Sequence, residues 1–303
     1  MPDYSDLFRR NLGVFTEAEQ EKIRNSRVLI VGCGGIGGTV AVILARSGVS
    51  RFILVDFDSY EPSNMNRQIE CFDATLGRNK AEVLAEAITR INPEAEVVSH
   101  GKYLSNQEVA GLMDSCDLVF PAADDFAFSL LVFRDAKSKK KPALFVVPSG
   151  TWANVSILLP EGPTVEDLQG IPALATYDQL SELFTARRYK FGTIFYIWRA
   201  GWRKDYYRDF MDRDAPVAQI CPTVWMSSAL GAGEVLKALS GRRSLVAAPR
   251  FWVITEKSIK VCRLYGANWQ TVLILQRKFF YRLFQTPLAG PIEKAQALWW
   301  KFF

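Results

Sequence analysis

The stretch RVLIVGCGGIGG, residues 27–38, decides the fold. Its first half is a short run of branched apolar residues, which is typical of a buried strand, and its second half is a glycine-rich turn that opens a helix. Gly32, Gly34 and Gly37 fit the spacing GxGxxG directly after the strand. Glycine suits a tight turn, a close approach of backbone to phosphate, and the packing of helix against strand. The stretch therefore predicts a nucleotide-binding βα unit.

The pattern of strand followed by helix continues to about Pro148. The runs RFILVD, AEVVS, DLVF and ALFVVP are predicted strands, and GRNKAEVLAEAITRINP and FAFSLLVFRDAKSKKK are predicted helices. Further on, NVSILL is a predicted strand, PTVWMSSALGAGEVLKALS a helix, and FWVIT with SIKVCRL a terminal hairpin. Alternating strands and helices predict parallel βαβ units. We therefore expect an α/β fold: a doubly wound, mostly parallel Rossmann-like sheet with helices on both faces, extended by C-terminal strands and a crossover segment.

These patterns divide the chain into five segments. They are an N-terminal helical arm at 1–26, a nucleotide-binding core at 27–160, a substrate-facing crossover at 161–220, a returning helix with terminal strands at 221–265, and a basic aromatic tail at 266–303.

Composition excludes several classes of function. Residues 241–303 hold eleven Lys and Arg against two Asp and Glu, so the net charge of +5 is a local feature and predicts no nucleic-acid partner. Five cysteines without a CxxC pair argue against a disulfide framework and against a zinc site, and the single His100 excludes multi-histidine metal sites. We find no leader and no run long enough to span a bilayer, so we expect a cytoplasmic protein.

An acid after the second strand extends the predicted nucleotide site. Asp56 follows Gly37 by nineteen residues, where a carboxylate accepts hydrogen bonds from ribose hydroxyls. A glycine turn with such an acid is typical of NAD sites, but SNMNRQ, residues 63–68, then supplies Asn66 and Arg67. An amide and a forked guanidinium suit the longer phosphate chain of a nucleoside triphosphate.

Two further charges fit the same ligand. Lys80 opens the next predicted helix and adds a compact positive charge. Asp124 follows the strand DLVF, at a carboxyl strand end facing the same crevice. One carboxylate there suits Mg²⁺, which takes one or two carboxylates together with phosphate oxygens. The combination predicts a site for a magnesium-bound ATP.

Taken together, the stretches RVLIVGCGGIGG, LVDFDSYEPSNMNRQ, GRNKAE and AADD resemble the ThiF/MoeB/HesA branch of the ubiquitin-activating E1-like superfamily. The resemblance runs from about Phe8 to Leu159 and resumes at CPTVWMSSALGAGEVLKAL. It implies an ATP-dependent adenylyltransferase that converts a carboxylate to acyl-AMP and pyrophosphate. It also implies a symmetric homodimer, in which Arg10, preferred over Arg9, reaches the partner subunit's site.

The resemblance assigns roles to the motif residues, each by its position in the shared pattern. They are phosphate contact for Gly32, Gly34, Gly35 and Gly37, ribose contact for Asp56, phosphate contact for Asn66, Arg67 and Lys80, Mg²⁺ binding for Asp124, and completion of the SNMNRQ motif for Gln68.

The chain also departs from that pattern. Its cysteines cannot form the two CxxC pairs of many relatives, so no zinc is expected. A cysteine that forms a thioester with the acyl group would be expected in the crossover. No cysteine lies between Pro160 and Ile220, so Cys221 is the nearest candidate. A helix N-terminus favours a thiolate, but we favour a structural role for this residue. Asp125 replaces the asparagine that usually follows the magnesium ligand.

Two aromatic segments keep alternative interpretations. FGTIFYIWRAGWRKDYYRDF, within the crossover, suits either a peptide-binding face or a helix that packs on the dimer partner. The tail LILQRKFFYRLF has Leu275, Phe279 and Leu283 at helical spacing with basic residues between them. Such a helix can lie on an anionic membrane surface, but we favour packing on the protein itself.

Three hypotheses of function remain open. An adenylating enzyme is favoured, with a ubiquitin-like protein tail, a ribosomal peptide or a free small acid as its substrate. An NAD-dependent oxidoreductase would rest on the glycine turn and Asp56 alone. A non-catalytic nucleotide-binding scaffold is the least favoured, because the motif set is intact.

Overall fold

The computed structural model describes residues 3–174, 176–186, 190, 193–194 and 200–302. One sheet of eight strands, in the order β3-β2-β1-β4-β5-β6-β7-β8, forms its centre. The strands are β1 Arg27–Val31, β2 Arg51–Val55, β3 Glu96–His100, β4 Leu118–Pro121, β5 Ala143–Ser149, β6 Trp152–Leu158, β7 Arg250–Thr255 and β8 Ser258–Arg263. Strands β1 to β5 pair in parallel and β6 to β8 add antiparallel strands.

Helices flank this sheet along the described chain. They are α1 Tyr4–Phe8, α2 Glu17–Asn25, α3 Gly35–Arg46, α4 Lys80–Ile91, α5 Asn106–Leu112, α6 Phe126–Ser138, α7 Val165–Gln169, α8 Tyr177–Thr185, α9 Lys204–Asp212, α10 Cys221–Ser240, α11 Trp269–Leu283 and α12 Ala289–Phe302.

The inner parallel strands are apolar along most of their length because both of their faces are buried, whereas the edge strand β3 is mostly exposed. Val28 and Ile30 of β1 belong to one core, whereas Leu29 and Val31 belong to the other. The same alternation divides β2. Helices α3, α4 and α10 cover the first core, and α6, α8 and α11 cover the second. Helices on both faces of a mostly parallel sheet confirm the predicted fold class.

The predicted elements of the first half are present in the structure, and so is the terminal hairpin of β7 and β8. Cys33, Cys116 and Cys262 are buried as predicted. Helix α5 was not predicted. The aromatic crossover stretch, residues 191–210, lies partly outside the described residues, which include only 193–194 and 200–210 of it.

The tail helix α11 differs from its predicted orientation. It buries Leu273, Ile274 and Arg277, whereas Leu275 and Phe279, which were predicted to pack on the protein, are exposed. In the described part of the chain, every helix is too short or too polar to traverse a bilayer.

Candidate nucleotide-binding site

The glycine turn between β1 and α3 has almost no free space. Gly32 has a φ of +98°, and a Cβ there would lie 2.5 Å from the backbone of Ala122 and Ala123. A Cβ at Gly37 would lie 1.8 Å from the carbonyl oxygen of Gly32. The turn is therefore pressed against the chain that leaves β4. Helix α3 has Gly34 at its N-cap and no side-chain cap, so its first N–H groups are available to an anion.

Asp56, directly after β2, is attached to this turn. Its Oδ2 accepts a hydrogen bond from the backbone N–H of Cys33 at 2.7 Å, and its Oδ1 accepts one from the N–H of Asp58 at 2.9 Å. Burial raises the pKa of Asp56, and the two N–H donors oppose that rise only in part. Two backbone hydrogen bonds thus hold the Asp56 carboxylate in place beside the glycine turn.

The raised pKa predicts a pH-dependent stability. The folded chain keeps the Asp56 proton at a higher pH than the unfolded chain does, so the free energy of unfolding falls as the pH rises from 3.8 through the raised pKa. Asp56→Asn should lose this slope, because an amide does not titrate in this range. Urea unfolding of both proteins across a pH series measures the difference, and parallel profiles would contradict the prediction.

Lys80 opens α4, after the N-cap Asn79, and its charge is already paired. The Nζ donates to Oδ2 of Asp58 at 3.0 Å, and Lys80 is only 6% exposed whereas Asp58 is exposed. Asp58 was not among the predicted site residues. The signal was present in the spacing DFD, because alternate residues leaving a strand point to the same side. The pair supplies a cation whose position is fixed beside the nucleotide crevice.

The SNMNRQ stretch forms a loop that is tied to α10. Arg67 Nη1 donates to the Ser63 carbonyl at 3.1 Å and to Asn66 Oδ1 at 2.8 Å. Asn66 Nδ2 donates to the Gln219 carbonyl at 3.2 Å, and Trp225 Nε1 donates to the Arg67 carbonyl at 3.0 Å. Contacts with the second half of the chain therefore hold the Asn66 side chain and the Arg67 backbone, and Asn66 in turn orients the Arg67 guanidinium.

The same loop forms one wall of the glycine turn. A Cβ at Gly35 would lie 3.4 Å from Arg67 Cγ, and a Cβ at Gly34 would lie 3.5 Å from Gln68 Nε2. Gln68 is 5% exposed, and its Oε1 is buried without a hydrogen-bond partner in the described structure. Since buried polar atoms are normally hydrogen-bonded, Gln68 keeps an acceptor available next to the turn.

The two adjacent acids after β4 have different environments. Asp125 caps α6 by accepting from the Phe128 N–H at 3.0 Å, and its other oxygen accepts from Tyr177 Oη at 2.7 Å. Asp124 is exposed and has no hydrogen bond or ion pair with any described residue. Asp125 therefore has a structural role as the N-cap of α6 and the acceptor for Tyr177. Asp124 is the carboxylate available to a ligand.

Mg²⁺ is the metal predicted for this site. Within the described ranges, no group of three or more His, Cys, Asp or Glu side chains is arranged to hold a metal ion. Mg²⁺ needs no such cage when phosphate oxygens and water supply most of its ligands. One carboxylate without a described partner, Asp124, close to the glycine turn fits that requirement, whereas the arrangement does not suit a metal held by protein alone.

The predicted site residues fall into two groups. Asp56, Arg67 and Gln68 contact the glycine turn, Lys80 joins them through Asp58, and the turn itself lies against the backbone that leads to Asp124. Arg10 stands apart, exposed in the short 3-10 helix Arg9–Gly13. Cys221 is half-buried as the first residue of α10, two positions after the Gln219 carbonyl that binds Asn66.

A second polar cluster, not predicted from the sequence, lies at the carboxyl end of β5. Ser149 Oγ, Thr151 Oγ1 and Trp202 Nε1 are all buried without hydrogen-bond partners among the described residues. They lie close together, because a Cβ at Gly150 would be 2.8 Å from Trp202 Cδ1 and one at Gly201 would be 2.7 Å from Thr151 Oγ1. Since buried polar atoms are normally hydrogen-bonded, these three groups leave hydrogen-bonding capacity one strand beyond Asp124 that no described residue uses.

Parallel strands β1 to β5, the glycine turn and the acid after β2 define a Rossmann-like α/β protein. Residues 8–270 match the ThiF family, and the chain belongs to that family.

Curated relatives match part of the chain. The molybdopterin-synthase adenylyltransferase of Escherichia coli (strain K12) is 42% identical over 108 residues, which are 36% of this chain and 43% of that protein. The tRNA threonylcarbamoyladenosine dehydratase of Bacillus subtilis (strain 168) is 31% identical over 138 residues, which are 45% of this chain and 54% of that protein. This chain thus spans about half the length of these relatives, whose names carry different activities.

Solved structures resemble the chain over more of its length. The structure of E. coli MccB with ATP has a TM-score of 0.64 and 22% identity, covering 87% of this chain and 73% of that one. The microcin C7 biosynthetic enzyme MccB in complex with N-formylated MccA has a TM-score of 0.64 and 23% identity, covering 87% and 74%. At this identity the likeness supports the fold alone.

Proposed function

We propose that this protein is an E1-like adenylyltransferase that activates a carboxylate with ATP and Mg²⁺. The observation that carries the proposal is the convergence of Asp56, Arg67 and the Lys80–Asp58 pair on the glycine turn, with unpaired Asp124 after the adjacent strand β4. A dinucleotide site needs the turn and Asp56 but has no general use for the other charges. The names of the adenylyltransferase relatives support the same activity.

In the proposed reaction, an oxygen of the carboxylate attacks the α-phosphorus of ATP. A new bond forms between that oxygen and phosphorus, the bond from phosphorus to the bridging oxygen breaks, and its electron pair leaves with pyrophosphate. A carboxylate is already ionised at neutral pH, so no general base is required. Negative charge grows on the phosphate oxygens during the step, and preorganised cations and N–H groups stabilise such charge.

Each residue has a defined part in this scheme. The turn of Gly32, Gly34, Gly35 and Gly37 brings backbone N–H groups to phosphate, and Asp56 accepts hydrogen bonds from the ribose. Arg67, Lys80 and Asn66 bind phosphate oxygens, and Gln68 supports their loop. Mg²⁺ held by Asp124 would neutralise charge on the phosphate oxygens.

The carboxylate is proposed to be that of a peptide. Ser149, Thr151 and Trp202 offer unpaired polar atoms beneath the crossover, one strand from Asp124, which suits the amide groups and terminal carboxylate of an extended chain. A solved MccB complex with N-formylated MccA is consistent with that substrate class. A ubiquitin-like protein tail and a small acid are the alternatives.

Three further features belong to the proposal. A symmetric homodimer would bring Arg10 of one subunit to the site of the other, as the family resemblance implies. Cys221 is assigned a structural place at the start of α10 rather than a thioester role. Five cysteines without a disulfide favour the reducing cytoplasm.

Pyrophosphate exchange tests the function directly. The full chain is incubated with ATP, Mg²⁺, labelled pyrophosphate and a panel of peptides that carry free C-terminal carboxylates. At least one peptide should drive label into ATP, and the same peptide with a C-terminal amide should drive none, because the amide cannot attack phosphorus. Exchange that is equal for both forms would contradict carboxylate activation. Binding of NAD in place of ATP would favour the oxidoreductase, and ATP binding without exchange would favour a scaffold.

A further inference from the structure

Helix α11 presents an apolar face to solvent. Val272, Leu275 and Phe279 follow one another at spacings of three and four residues and are 47%, 50% and 61% exposed. Such spacing places them on one side of a helix. Single exposed apolar residues need no explanation, but an aligned series of them marks an interaction surface. We call these three residues the outer face of α11.

The opposite face of α11 explains why the helix does not simply rotate inward. Arg277 is 5% exposed there, and its guanidinium donates to Tyr281 Oη at 3.1 Å and to the Gln169 carbonyl at 3.3 Å. Leu273 and Ile274 pack beside it in the core. A buried arginine with these partners fixes the rotation of the helix, since removing a charge from its partners in the interior is costly. The outer face is therefore held outward by the fold itself.

The surroundings of the outer face are strongly basic. From residue 257 to 303 the sequence has eight Lys and Arg and one Asp or Glu. Arg282, on α11, is exposed, and so are Lys260 and Arg263 on the edge strand β8. A hydrogen bond of 2.7 Å from Lys278 Nζ to Tyr265 Oη ties the segment after β8 to α11. Basic residues therefore lie on the same helix as the outer face, at Lys278 and Arg282, and on a segment that Tyr265 connects to this helix.

Most of this part of the chain lies beyond the family match, although the inner face of α11 packs in the second core. The family match ends at residue 270, so nearly all of α11 and all of α12 lie beyond it. The candidate nucleotide site receives contacts from the glycine turn, the SNMNRQ loop and α10, whereas none of the described contacts to it comes from α11. The outer face therefore calls for an occupant other than ATP or its carboxylate substrate.

We propose that the outer face of α11 binds an anionic lipid surface. A helix with apolar residues on one side and Lys or Arg beside them lies in the plane of a membrane interface, where apolar side chains enter the acyl boundary and basic ones meet headgroups. A second copy of this chain fits less well, because a two-fold contact on this face would place Arg282 of one copy near the same charges of the other. The protein would thus carry its activity to a membrane without spanning it.

Vesicle co-sedimentation of the full chain tests this proposal. Vesicles of phosphatidylglycerol and phosphatidylcholine should bind the protein at low salt, vesicles of phosphatidylcholine alone should bind it much less, and added salt should weaken the first interaction. The double variant Leu275→Ser/Phe279→Ser should bind the anionic vesicles about tenfold or more weakly, because lipid binding scales with the apolar area that is buried.

A matched variant distinguishes binding through the outer face from nonspecific adsorption through any exposed apolar residue. Phe72→Ser removes an aromatic residue that is 57% exposed elsewhere on the surface, and it should keep vesicle binding. Thermal melts and ATP binding should be unchanged in the double variant, because neither position is buried or in the nucleotide site. The proposal is overturned if the wild type ignores anionic vesicles, if neutral vesicles bind it equally, or if the double variant binds as the wild type does. It is also overturned if light scattering shows that the double variant dissociates a dimer, which would assign the face to a second copy.

Discussion

Asp124→Ala should abolish pyrophosphate exchange, with a loss of about a thousandfold, because a metal that neutralises transferring phosphate groups contributes several kcal/mol to the rate. The reason lies in the geometry after β4. Asp125 is committed to capping α6 and to Tyr177, so it cannot replace its neighbour. Asp124 is exposed and has no hydrogen bond or ion pair with a described residue, so we expect folding to be unaffected.

The measurement pairs exchange with ATP binding. Calorimetry should show that Mg²⁺ raises the affinity of the wild type for ATP. Asp124→Ala should lose most of that increase. Asp114→Ala is the control, because Asp114 precedes β4 at the opposite edge of the sheet and only forms a surface ion pair with Lys139. It should retain full exchange. An Asp124→Ala protein that exchanges pyrophosphate normally would remove Asp124 from the site.

Gly37→Ala should destabilise the fold and eliminate nucleotide binding together. The added Cβ would lie 1.8 Å from the Gly32 carbonyl oxygen, and a backbone atom at that distance cannot swing aside as a side chain does. Helix α3 or the turn must move, at a cost of about 3 kcal/mol in the free energy of unfolding. The displaced turn would no longer present its N–H groups to phosphate.

Gly233→Ala supplies the matched control for this substitution. Gly233 lies within α10, and a Cβ there would meet nothing within 4 Å. Alanine is the better helix former, so the control should gain up to about 1 kcal/mol in stability. Urea unfolding and ATP titration of the two variants give the comparison. Equal behaviour of both glycine variants would show that the turn tolerates a side chain and that its geometry is not tight.

Much of the parallel sheet could be predicted because its inner strands are buried on both faces and therefore appear as nearly unbroken apolar runs. The positions of Asp56 and Asp124 could also be predicted, since carboxyl ends of parallel strands share one edge. The pairing of Lys80 with Asp58 could not, because it joins residues twenty-two positions apart across the start of α4. Neither could the binding of Asp125 by Tyr177, which depends on how the crossover folds back.

The orientation of α11 shows a different limit. Spacing alone indicates one apolar side with Leu275 and Phe279, and burial of apolar area would normally turn that side inward. A second apolar side with Leu273 and Ile274 competes with it, and Arg277 between them decides the outcome through the Gln169 carbonyl and Tyr281. Those partners are specified by tertiary structure, so periodicity could not select the buried side.

The anchoring of the SNMNRQ loop has a consequence for biosynthesis. Asn66 and Arg67 are held by Gln219 and Trp225, roughly half the chain further on. While a ribosome is still making the middle of the protein, the glycine turn and Asp56 have already emerged, but the loop has no anchor. Under the proposed function, the capacity to bind a triphosphate would therefore be acquired late in translation, once α10 has been made.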